Sequence, residues 1–229
     1  MTGNSFRGAD WRDGIGLEAQ AEDGNPAKLF DALIDLKGQP TPFSTGVYAL
    51  HQEDTSPLFT VDSPDMGNGL ESLAERGDPA PLAAYLDEMM IPHGVFDTPE
   101  GATDAGPTFP GGQISFSVEA VRGDKLSFVT MFGQSNDLFF APTDAGIPLF
   151  NRHGGSVSRN VAQYIRLCDV GTKVNEPPGI GPNQAPRQSF PDAGLVEMKP
   201  VDEVNDMYFY PPVDHMIKVS ITPLQCKAL

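Results

Sequence analysis

The stretch QISFSVEAVRGDKLSFVTMF, Gln113 to Phe132, decides the fold class. Ile114, Phe116 and Val118 alternate with polar residues, the two-residue period of a strand that buries one face. Gly123, Asp124 and Lys125 then form a turn before the apolar run from Leu126 to Phe132, so the pair reads as a β-hairpin.

Similar runs flank it. FSTGVYALH (Phe43 to His51) and MIKVSIT (Met216 to Thr222) are strands, the second with Ile217, Val219 and Ile221 in alternation. KLFDALIDL (Lys28 to Leu36) alternates with breaks at Phe30 and Leu33, and SVSRNVAQYIRLCDV (Ser156 to Val170) alternates loosely and reads as one strand. One segment has helical spacing, Gly69 to Met90, where Leu70, Leu73 and Ala74 recur before a Gly-Asp-Pro break at Gly77. Pro92 to Gly112 and Asn175 to Gln188 are too rich in Pro and Gly for regular structure and read as surface loops, the second extended and stiff. The pattern predicts an all-β antiparallel sandwich or barrel with a short helical insertion around residues 69–90. Residues 1–26 read as an extension and 27–229 as a single domain.

The chain of 229 residues carries a formal charge of −16 with only 15 Lys and Arg, which argues against nucleic acid and favours cations as partners. No run of eighteen apolar residues is present to span a bilayer. The first residues lack a basic segment followed by an apolar core, so an exported protein would have lost its signal before this start. Cys168 and Cys226 follow or end strand-like runs. They are either a disulfide, worth roughly 4 kcal/mol for so long a loop in the chain-entropy model, or two buried thiols.

Enzyme motifs fail on inspection. Gly133-Gln-Ser-Asn-Asp137 lacks the second glycine and following helix of a nucleophile elbow. Gly179-Ile-Gly-Pro182 is broken by its proline as a dinucleotide loop. His51, His93, His153 and His215 occur singly, so a copper or zinc site is the second reading and needs the fold to gather them. The oxygen-rich places are strand-end loops: Ser135, Asn136 and Asp137 in one, Asp169, Thr172, Asn175 and Glu176 in the other. Calcium takes six to eight such hard oxygens, and two facing carboxylate loops repel each other unless a cation sits between them. Taken singly, Asp169 also reads as the opener of an Asx turn and Asp137 as a cap on backbone N–H groups.

GVYALH, GLESLAERGDPAPL, PGGQISFSVEA, LSFVTMFGQSNDLFFAP and CDVGTKVNE, in this order between about Leu29 and Thr222, resemble the spondin N-terminal domain in its shorter bacterial form. That resemblance implies a two-sheet β-sandwich, secreted, periplasmic or at the cell surface, that binds calcium without enzymatic activity. Its implied partners are extracellular matrix, a cell-surface or envelope component, or a larger assembly. It also implies Asp137 and Asp169 as metal ligands. Lys173 stands where the family has a further acidic residue, so either Glu176 or Asn175, with Asn136, completes the shell, or the Lys173 charge takes the place of the ion.

Overall fold

The computed structural model describes residues 28–36, for which only the backbone is given, together with 42–185 and 187–224. The strands are β1 (Lys28–Leu36), β2 (Phe43–His51), β3 (His93–Phe96), β4 (Gln113–Ala120), β5 (Lys125–Phe132), β6 (Leu138–Pro142), β7 (Ile147–Pro148), β8 (Arg159–Asn160), β9 (Ile165–Asp169), β10 (Asp202–Glu203) and β11 (Ile217–Pro223). They form two antiparallel sheets. The smaller has the order β4-β1-β11-β8, the larger the order β10-β9-β6-β5-β2-β3, with β7 also on β5.

The expected hairpin does not form. β4 pairs with β1 in the small sheet while β5 pairs with β2 in the large one, so the turn at Gly123 carries the chain from one sheet to the other. Burial gives the reason. β4 buries alternate residues, Ile114 and Val118 among them, whereas seven of the eight residues of β5 are buried, as in a strand covered on both faces. Ser156 to Val170 is likewise two strands, because a 3-10 turn at Ala162–Tyr164 separates β8 in the small sheet from β9 in the large one. The expected loop from Pro92 yields one short edge strand, β3. Between Asn175 and Gln188 the described residues form successive turns, with Gln184 completely buried.

Alternation along β6 divides the core. Leu138 and Phe140 face the small sheet and join Ile114, Phe128, Leu167, Ile217 and Val219 between the layers. Phe139 and Ala141 point to the other face, where α1 (Leu70–Arg76) and α2 (Ala80–Glu88) cover them with Leu70, Leu73, Leu82 and Leu86. Each fully buried Phe or Leu contributes on the order of 1.5–3 kcal/mol, so the helical insertion is the lid over a second core. Gly77 ends α1 with a φ of 71°, and its N–H bonds the Leu73 carbonyl at 2.8 Å. No helix among the described residues is long and apolar enough to cross a membrane.

Candidate functional site

Strand pairing brings the two carboxylate loops together. β6 runs antiparallel to β9 with Leu138 opposite Asp169, so Asp137, just before β6, lies beside the end of β9. The Val170 N–H reaches the Asp137 carbonyl at 3.3 Å. Gly171 then turns the chain with a φ of 78° against the Lys199 carbonyl, which would lie 2.4 Å from an added Cβ. Only glycine fits there.

Asp137 is completely buried. Its Oδ2 accepts the main-chain N–H groups of Thr172 and Lys173, each at 2.8 Å, and lies 3.1 Å from the Thr172 hydroxyl oxygen. Asp169 accepts the Gly171 N–H on Oδ1 and the Asn175 side-chain amide on Oδ2, both at 2.7 Å. The Asx turn and the backbone cap legible in the sequence are thus both present. They leave one thing unexplained: Asp137 Oδ1 is buried and has no hydrogen-bond partner. An unsatisfied buried acceptor costs about 1–3 kcal/mol, more when charged.

The neighbouring cations are committed elsewhere. The Lys173 ammonium is almost fully buried, 3.5 Å from Oε2 of the equally buried Glu75 on α1, and Lys199 sits 2.7 Å from Glu197. Among the described residues no Lys, Arg or His forms an ion pair with Asp137 or Asp169. Burial, and then the negative charge of Asp169, pushes the Asp137 carboxyl up to about 7 against the pull of the Lys173 and Thr172 N–H groups. Asp169 is raised by burial and held back by its Gly171 and Asn175 donors. Glu75 is pushed up to about 7 by burial, opposed by the Thr172 hydroxyl and the Lys173 charge. Thr172 Oγ1 lies 2.8 Å from Glu75 and 3.1 Å from Asp137. A hydroxyl has one proton to give, so the second contact is a hydrogen bond only when that carboxyl is protonated.

No protein-family model matches the chain, and no similar sequence is found among curated proteins. The site therefore rests on its own geometry.

Of the expected ligands, Asp137, Asp169 and Asn175 come together. Asn136 spends its Oδ1 on the Glu176 N–H at 3.0 Å, and its buried Nδ2 has no partner. The Glu176 carboxylate is held by Asn183, through the main-chain N–H at 2.9 Å and the side-chain amide at 2.6 Å. Ser135 is structural, with Oγ donating to the Phe132 carbonyl at 2.7 Å and accepting the Leu138 N–H at 3.1 Å. Cys168 is a free, buried thiol on β9, and Cys226 lies outside the described residues. The extension 1–26 lies outside them too.

The histidines have separate surroundings. His51 bonds the Glu53 carbonyl through Nδ1 at 3.1 Å and Ser127 through Nε2 at 2.9 Å. His93 bonds the Ile91 carbonyl, and His153 accepts from Arg152. Among the described residues no three His, Cys, Asp or Glu side chains converge to hold a metal. A cation here would draw on two carboxylates plus amide, main-chain and water oxygens, a mixture calcium accepts and zinc or copper does not favour. The residue that sequence reasoning missed is Glu75. An acidic residue on a short helix carries no sign that the helix will set it against Lys173.

Proposed function

We propose that the chain is a non-enzymatic β-sandwich module that binds calcium between the loop before β6 and the loop after β9. The observation that carries this reading is the fully buried Asp137, whose Oδ1 lacks any hydrogen-bond partner, beside a second carboxylate, Asp169, that forms no ion pair among the described residues. Asp137 and Asp169 would supply the charged ligands and Asn175 an amide oxygen, with Glu176 kept for the turn it forms with Asn183. Calcium would bring two positive charges to two carboxylates that have no ion-pair partner among the described residues and so tie the start of β6 to the end of β9.

The setting we propose is extracellular or periplasmic, with attachment to a matrix, cell-surface or envelope component or to a larger assembly. Its support is the resemblance of the sequence to spondin domains and a run of large apolar side chains in water. On the connection from β9 to β11, Leu195, Val196, Met198, Met207 and Phe209 are all at least 72% exposed.

Thermal melts with calcium, with zinc or copper, and with chelator test the ion. Calcium at a hundredfold excess over its dissociation constant should add about 2.7 kcal/mol of stability, and zinc or copper should add none. Asp137→Asn and Asp169→Asn should each abolish the calcium response. If chelator leaves the melt unmoved and both variants behave as wild type, the calcium reading is wrong.

A further inference from the structure

Lys173 poses a problem for any cation at this site. Its own main-chain N–H already bonds Asp137 Oδ2 at 2.8 Å, so its ammonium, on a flexible four-carbon stem, starts from beside the carboxylate it could neutralise. The side chain is nearly fully buried and cannot discharge the conflict by swinging into water. Its ion-pair partner among the described residues is Glu75 Oε2 at 3.5 Å, a charge contact without a hydrogen bond. Glu75 is in turn fixed by two elements: α1 carries it, and the Thr172 hydroxyl lies 2.8 Å from its other oxygen.

We infer that Glu75 is the residue that keeps the Asp137 site open to a divalent cation, by holding the Lys173 ammonium away from Asp137 Oδ1. This inference rests on the calcium reading. With Glu75 neutral, the buried ammonium has lost its partner, while the residue its N–H touches still offers an unpartnered carboxylate oxygen. A buried cation without an anion is strongly unfavourable, so the side chain turns to Asp137. An ammonium there is an internal competitor present in every molecule, and it repels calcium as well as displacing it. Glu75 is a positioning residue and touches no ion itself.

Calorimetric titration of the whole chain with calcium chloride at fixed pH tests this, using Glu75→Gln, Lys173→Met and the double variant. Glu75→Gln should bind calcium at least about tenfold more weakly than wild type, since a unit charge at contact distance costs more than that. Adding Lys173→Met to it should restore wild-type affinity, and Lys173→Met alone should bind no more weakly than wild type. Undiminished binding by Glu75→Gln overturns the inference, as does a double variant that stays weak. Should Glu75→Gln fail to fold, the comparison passes to the two variants that lack Lys173. Equal calcium affinity in these supports the inference, because Glu75 then has no ammonium to restrain, and unequal affinity overturns it. A wild-type chain that gives no calcium heat fails the calcium reading itself, a result distinct from failure of Glu75→Gln alone.

Discussion

Gly171 and Gly67 both hold a left-handed φ, 78° and 65°, yet their surroundings differ. Around Gly67 an added Cβ meets nothing, whereas at Gly171 it would strike the Lys199 carbonyl at 2.4 Å. Gly67→Ala should cost only the left-handed penalty, about 1 kcal/mol. Gly171→Ala should cost about 2–4 kcal/mol, because the loop after β9 must also move off the Lys199 main chain. Urea unfolding of the two variants measures the difference, and equal losses would contradict the packing described. At this scale the placement of Asp137 and Asp169 in neighbouring strand-end loops was legible in the sequence. The commitment of Glu176 was not, because it depends on Asn183 folding back through a turn whose outcome no local propensity dictates. Glu75 was hidden for a related reason, since its partner lies across a tertiary contact.

The α1 helix docks a carboxyl where water cannot reach it, and this makes its packing depend on pH. Glu75 has an ordinary value of 4.5 and is raised to about 7 in the folded protein, so the folded state holds that proton more tightly than the unfolded chain does. Below about pH 4.5 both states are protonated and Glu75 contributes no penalty. As pH rises from there to about 7, stability is lost. Asp137 adds to the loss in the same direction. Denaturation in chelator should therefore give a protein more stable near pH 5 than near pH 8, and Glu75→Gln should flatten part of that slope. A stability that instead climbs over this range would refute the assignment. Element boundaries such as Lys28–Leu36, Phe43–His51 and Gln113–Ala120 were readable from alternation and turn residues. Which sheet each strand joined was not. A turn at Gly123 signals reversal without naming the partner, and only the two-sided burial of β5 against the one-sided burial of β4 distinguishes a sheet change from a hairpin.

Across the whole molecule, the larger sheet is sandwiched between the small sheet and the helical lid, and Cys168 lies within it at 1% exposure. Burial raises its thiol far above the ordinary value, so a reactive thiolate is absent at neutral pH. In a Cys226→Ser background, a thiol-reactive disulfide reagent should label the folded protein only as fast as the structure opens, and label it fully in denaturant. Immediate stoichiometric labelling without denaturant would contradict this burial. The pairing of Leu138 with Asp169 has a larger meaning in this frame. Strand side chains alternate faces, so a slip of one residue between β6 and β9 would send Phe139 and Phe140 to exchanged cores and part the two carboxylates. The acidic pair is in that sense a checksum on assembly. A chain that has paired its strands correctly presents both carboxylates together, a misregistered chain does not, and a ligand that requires the two of them selects copies whose interior is also correct.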